Sequence, residues 1–269
     1  PQRTQRIAEK DSARLRDLCG SFLGISTMTS RCFGSSALTM LSAFMALVTF
    51  GSPAFASSPS LGSITPRGGQ RGTESVIFFN GGRLTDAHEI LFYSPGVTVT
   101  KLEVVNDGQV KVTAKIADDC RLGEHAMRVR TASGISELRT FYVGALPAVD
   151  EKEPNSEFTT PQKINLNVTV TGVADNEDVD YYSFEAKKGQ RVTAEIEGMR
   201  LGTTVFDPYV AILDSKRFEL SSSDDNALVW QDAVASVVIP EDGTYYAQVR
   251  ESSYAGNGGC VYRLHVGTF

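Results

Sequence analysis

From about residue 74 onward the chain is written in short runs of β-branched and aromatic residues. Turns rich in Gly, Asp and Asn separate them, and no stretch between them carries a 3.6-residue apolar period. This pattern limits the chain to paired strands, because without helices the apolar residues can only be buried between sheets. The runs are Ser75–Phe79, Glu89–Tyr93, Val97–Val105, Gln109–Ile116, Ala126–Arg130 and Leu138–Val143, then Ile164–Val170, Tyr181–Ala186, Gln190–Glu197, Tyr209–Leu213, Val234–Ile239, Thr244–Arg250 and Val261–Val266. Asn106-Asp107-Gly108, set between two alternating runs, predicts a hairpin. Ile164–Val170 (INLNVTV) alternates apolar with polar, the period of a half-buried strand.

The two groups of runs are separated by Ala145–Pro154 (ALPAVDEKEP), which has two prolines and three acids. The expected architecture is all-β: two β-sandwich modules, the first immunoglobulin-like and the second jelly-roll-like, behind an N-terminal signal peptide. The expected boundaries are 1–56 for the signal peptide and its upstream n-region, 57–146 for the first module, 147–150 for a linker and 151–269 for the second module. A linker of this composition predicts few contacts between the modules.

The signal peptide rests on Ala37–Phe50 (ALTMLSAFMALVTF), an uncharged apolar run too short to span a bilayer as a helix. Arg31 precedes it, and Ala54 and Ala56 supply the small residues of a cleavage site, so cleavage is expected after Ala56. The chain is then secreted (extracellular, periplasmic or cell-surface), with no membrane span after cleavage. Cys120 and Cys260 alone remain, and both are expected to be free, buried thiols.

A net charge of −6 argues against a nucleic-acid partner, which needs a basic surface. The charge is unevenly distributed. Residues 57–150 balance ten basic against ten acidic side chains, whereas residues 151–269 carry ten against nineteen, a net of −9. An acidic β-domain either tolerates its self-repulsion or uses it to hold a cation.

Two family resemblances fit this division. Pro59–Pro66 (PSLGSITP), Gly68-Gly69, Gly72, Phe79–Leu84 (FNGGRL), Gly123–Arg130 (GEHAMRVR) and the closing Gly134–Val143 resemble the IPT/TIG immunoglobulin-like family. That resemblance implies a spacer or binding module without catalytic chemistry. Glu151–Asn155 (EKEPN), Asp178–Phe184 (DVDYYSF), Phe206–Asp214 (FDPYVAILD) and Pro240–Tyr246 (PEDGTYY) resemble the bacterial pre-peptidase C-terminal domain, which is similar to the collagen-binding domain of clostridial collagenases. This second resemblance implies an accessory jelly roll on a secreted enzyme, often a protease.

Calcium is the expected cofactor, because Ca²⁺ takes six to eight oxygens, several of them from carboxylates. Glu151, Glu153 and Asn155 lie at alternate positions of an extended segment and so share one side. Asp178 and Asp180 do the same just before a strand, with Glu177 adjacent. These six are the candidate metal ligands, set against a solvated acidic linker and an ordinary polar turn. In the collagenase-like relatives calcium sits between the matching linker and turn. Those relatives usually have Asp after the Asn, where this chain has Ser156. Asp175–Asp180 is no EF-hand, lacking Gly at position six. Asp224-Asp225-Asn226 reads as a solvated loop. Of Tyr181, Tyr182, Tyr245, Tyr246, Tyr254 and Tyr262, strand alternation sends about half to the core.

Apart from these metal ligands, no catalytic or cofactor-binding residue is expected. His88, His125 and His265 stand singly, and the chain has neither an H-E-x-x-H helix nor a G-x-S-x-G elbow. The sequence therefore predicts a secreted, non-enzymatic binding or adaptor region, supported by Ca²⁺, whose partner is an extracellular protein or polysaccharide matrix. Two alternatives stand beside it. One is the accessory region of a secreted protease whose catalytic domain lies beyond Phe269, and the other is a carbohydrate-binding module of the cell surface.

Overall fold

Asp107 and Gly108 reverse the chain between two strands paired from Asn106↔Gln109 to Val97↔Ile116, and Asn106 Oδ1 accepts the Gly108 amide at 2.8 Å. The hairpin therefore forms where its turn residues place it. The computed structural model describes residues 57–269, so the apolar run Ala37–Phe50 and the cleavage position after Ala56 lie outside the described residues.

The first group of strands is β1 (Ser60–Thr65), β2 (Gly68–Gln70), β3 (Glu74–Gly82), β4 (Glu89–Phe92), β5 (Val97–Asn106), β6 (Gln109–Ile116), β7 (Gly123–Thr131), β8 (Gly134–Ile135) and β9 (Arg139–Gly144). One sheet runs β1-β3-β6-β5; the other runs β2-β9-β7-β4, with β8 on β7. Alternation along β6 buries Val110, Val112, Ala114 and Ile116, which join Phe79, Met127 and Phe141 in a core between the sheets.

The second group is β10 (Ala148–Asp150), β11 (Gln162–Lys163), β12 (Val168–Val173), β13 (Val179–Ala186), β14 (Arg191–Glu197), β15 (Pro208–Leu213), β16 (Glu219–Ser223), β17 (Val234–Val238), β18 (Gly243–Glu251) and β19 (Val261–Gly267). Its sheets run β10-β12-β19-β14-β17 and β11-β13-β18-β15-β16. They close on a separate core that includes Tyr182, Phe184, Ile196, Phe206, Ile212 and Leu264. The fold is thus all-β sandwich. Among the described residues, no helix is long and apolar enough to cross a membrane.

Two expectations fail on backbone detail. Ile164–Val170 is not one strand: β11 ends at Lys163, Asn167 adopts a left-handed conformation (φ +65°), and only Val168–Val170 of the run join β12. The 147–150 linker is also largely absent, because Ala148–Asp150 are β10 and pair in parallel with Thr169–Thr171.

Only residues 145–147 separate β9 from β10, and so short a connection reaches little more than 10 Å even when extended. The two sandwiches therefore abut, against the expectation of few contacts. Arg67, 4% exposed, donates from Nη2 to the Leu201 carbonyl at 2.7 Å and to Thr203 Oγ1 at 3.0 Å. The Tyr142 hydroxyl donates to the Arg200 carbonyl at 2.5 Å. Residues 56–269 accordingly form one compact unit.

Gly68 tests this junction. A Cβ there would lie 2.3 Å from the Tyr142 carbonyl oxygen and 2.7 Å from Arg263 Cζ. Gly68→Ala is expected to cost about 1–3 kcal/mol, as other overpacking substitutions do. At roughly 2–4 °C per kcal/mol, calorimetry should show a drop of several degrees. Gly243→Ala, with nothing within 4 Å of the added carbon, should leave the midpoint in place.

Candidate metal centre

The alternation that builds the second core also buries a carboxylate. Along β13, Asp180, Tyr182, Phe184 and Ala186 point inward, and Asp180 is fully buried. On the opposing sheet β19 turns Tyr262, Leu264 and Val266 inward. The Tyr262 hydroxyl donates to Asp180 Oδ2 at 2.6 Å and lies 2.5 Å from the Tyr182 hydroxyl. Tyr182 in turn donates to Glu151 Oε1 at 2.5 Å, and Glu151 Oε2 accepts the Val173 amide at 2.9 Å. Glu151 directly follows β10, so this chain of bonds spans both sheets at one end of the sandwich.

Asn155, fully buried, closes the group. Its amide donates to Glu153 Oε2 at 2.9 Å, its Nδ2 donates to Glu151 Oε1 at 3.2 Å, and its carbonyl accepts Tyr181 N at 3.1 Å. Asn155 Oδ1 and Asp180 Oδ1 are both buried without any hydrogen-bond partner. Orphaned acceptors of this kind are costly unless something else satisfies them.

One oxygen from each of Glu151, Glu153 and Asp180 lies within 4.8 Å of the others. Ligands about 2.4 Å from a common calcium ion can stand at most about 4.8 Å apart, so the spacing suits that ion. The donors are all carboxylate and amide oxygens, the preference of a hard cation. Without a cation the group is poorly matched to charge. Burial, with the nearby Glu151 carboxylate, pushes Asp180 up to about 9, and burial also raises Glu153.

Of the six candidate ligands the structure gathers four: Glu151, Glu153, Asn155 and Asp180. Asp178 lies beside them, its Oδ1 accepting from Ser156 Oγ and Val179 N, both at 2.9 Å. Ser156 thus fastens the turn to the entry segment through a hydrogen bond. Glu177 is exposed in a left-handed turn (φ +59°), and its carboxylate is not part of the cluster. Tyr182 and Tyr262 belong to this site although neither is among the expected ligands. Their signal was parity, since Asp180 shares its strand face with Tyr182 and Phe184.

Tyr182, Tyr245 and Tyr262 are in the core, and the outer face of the β13 sheet holds other aromatic side chains. There Phe158 packs on Tyr181 and Tyr246, with ring centroids 5.7 and 4.2 Å apart. The Arg250 guanidinium lies 3.9 Å from the Tyr209 ring centre and 4.5 Å from that of Tyr254. Cys120 and Cys260 are free and buried, and burial raises both thiols. Cys120 Sγ lies 3.7 Å from His125 Nε2, but a buried thiol pushed upward is a weak nucleophile.

Fold and site together define an all-β chain whose second sandwich carries a buried carboxylate–amide cluster where its entry segment meets the sheets. Residues 178–251 match the bacterial pre-peptidase C-terminal domain, so the second sandwich carries a domain of that family. A probable subtilase-type serine protease of Deinococcus radiodurans is 29% identical over 108 residues, which are 39% of this chain and 14% of that protein. The chain therefore spans only a small part of this relative's length. Among solved structures, the pre-peptidase C-terminal domain of a Bacillus anthracis collagenase is similar over 43% of this chain and 99% of that one, at 16% identity and a TM-score of 0.33. The Bacteroides ovatus protein SGBP-B, solved with a mixed-linkage heptasaccharide, is similar over 78% of this chain and 75% of its own, at 9% identity and a TM-score of 0.29.

A pH test follows from Asp180. Its folded value lies above the ordinary 3.8, so the folded state holds this proton more tightly than the unfolded chain does. The group's contribution to stability is complete below about pH 4 and is lost as pH rises toward 9. In EDTA the melting midpoint is expected to fall between pH 5 and 8, and Asp180→Asn should remove most of that fall. An equally steep fall in Asp180→Asn would place its origin elsewhere.

Proposed function

We propose that this chain is a secreted, non-catalytic accessory region whose second sandwich is locked by one calcium ion and serves protein or matrix binding. The pair of buried, unpartnered oxygens, Asn155 Oδ1 and Asp180 Oδ1, carries the calcium reading. Glu151, Glu153, Asn155 and Asp180 would hold the ion. Its charge would offset the repulsion among three carboxylates and tie the entry segment after β10 to β13. The accessory role is supported by the pre-peptidase C-terminal domain, and the likeness to a subtilase-type protease supports a place beside a protease domain. The aromatic and arginine side chains on the outer face of the β13 sheet supply a surface suited to protein contact, where Tyr and Arg are the favoured anchors.

Calcium that binds only the folded state stabilises it by about 2.7 kcal/mol when free ion exceeds Kd a hundredfold. The melting midpoint is expected to rise by several degrees in millimolar calcium relative to EDTA at matched ionic strength. Asp180→Ala should abolish the calcium-dependent part, whereas Asp225→Ala, in the loop after β16, should preserve it. Identical midpoints in EDTA and calcium would leave the cluster a cation-free buried network.

A further inference from the structure

A concavity of about 520 Å³ opens where the two sandwiches meet, a volume typical of small-ligand sites. Gly123, Glu124 and Tyr142 line it from the first sandwich; Glu197, Met199, Arg200, Trp230 and Gln231 line it from the second. Trp230 is the chain's single tryptophan and is 79% exposed.

Its presentation is built. Trp230 and Gln231 both adopt left-handed backbone (φ +61° and +70°), an arrangement that non-glycine residues sustain only when neighbours enforce it. Two anchors enforce it here. Asn226 Oδ1 accepts the Leu228 amide at 3.0 Å, capping the turn that leads into Trp230. Asp232, fully buried, takes the amides of Gly198 at 3.1 Å and Met199 at 2.6 Å, together with Arg200 Nε at 2.6 Å. The tryptophan turn is thereby fastened to the Met199–Leu201 turn, which forms the facing wall. Arg67 and Tyr142 fasten that wall to the first sandwich.

The charges of the cleft are largely spent within the protein. Glu197 lies 2.5 Å from Arg263 and 3.3 Å from His265. Arg200 is paired with Glu195 at 2.8 Å and Asp232 at 2.6 Å. The one guanidinium among the lining residues, that of Arg200, is thus already paired. What is left is a bare indole face with an exposed carboxylate, Glu124, and an exposed amide, Gln231, in the same cleft. An apolar platform flanked by uncharged or singly charged hydrogen-bonding groups matches a pyranose ring, which offers C–H groups on its face and hydroxyls at its edge. We propose that this cleft is a binding site for neutral oligosaccharide, with Trp230 as stacking platform and Glu124 and Gln231 as hydroxyl partners.

Because Trp230 is the sole tryptophan, its emission reports on this cleft alone. The purified protein would be titrated, in EDTA as well as in calcium, with hexasaccharides of β-1,4-glucose, β-1,3-glucose, xylose, mannose and N-acetylglucosamine. At least one is expected to give a saturable emission change and matching heat with millimolar or tighter Kd, in both buffers. Retention in EDTA would separate this site from the calcium proposal. Trp230→Ala should weaken binding about tenfold or more with an unchanged melting midpoint, Trp230→Phe should restore part of it, and Glu124→Ala should weaken it more than Glu124→Gln, whose amide still hydrogen-bonds a hydroxyl. Absence of emission change and heat with every sugar would overturn the proposal, as would binding that survives Trp230→Ala. A response to choline or oligolysine in place of the sugars, lost in Glu124→Gln, would overturn it in favour of a cation site.

Discussion

The second sandwich depends on a carboxylate placed inside its own core. Asp180 faces inward because β13 alternates, and nothing local to residue 180 could turn it outward without also expelling Tyr182 and Phe184. The domain therefore surrounds the acid with hydroxyl donors. Tyr262 reaches Asp180 from the opposite sheet, and Tyr182 carries the chain of bonds on to Glu151. The two sheets are thus joined by polar bonds at this end of the sandwich. Because low-dielectric surroundings strengthen satisfied bonds and penalise unsatisfied ones, the same end concentrates both stabilising and destabilising terms.

That polar end also fixes where the chain enters the domain. Glu151 belongs to the network and directly follows β10, so the segment expected as a linker is pinned to the sandwich on both sides of residue 150. The short connection then forces the first sandwich against the second. Arg67 and Tyr142 both grip the turn at Met199–Leu201, and Asp232 holds that turn from below. Relative motion of modules is the usual expectation for small polar interfaces. Here a buried guanidinium and a buried aspartate sit on either side of one short turn, so the junction behaves as part of the fold.

Strand positions were legible because period-two alternation and Gly/Asp turns are local signals. Gln109–Ile116 forms as expected, and the Asp107-Gly108 hairpin closes it. The misreadings share a cause: a backbone choice or pairing that depends on distant partners. Ile164–Val170 alternates well, but Asn167 goes left-handed and its side chain accepts the Thr268 amide, a partner 101 residues away. Ala148–Asp150 is too short and polar to announce itself, and becomes a strand only because β12 offers an edge.

The same division runs through the metal centre. The sequence by itself determined which oxygens were on offer, since alternate spacing in Glu151–Asn155 and Asp178–Asp180 already put each set on one side of an extended segment. Only the tertiary structure decided which of them converge. It buried Asp180 and Asn155, left Glu177 in solvent and brought in two tyrosines that sequence spacing could not connect. Spacing along a strand is set by covalent geometry and can be read residue by residue. Convergence across two sheets is set by packing, and no local pattern encodes which side chains will share a dielectric.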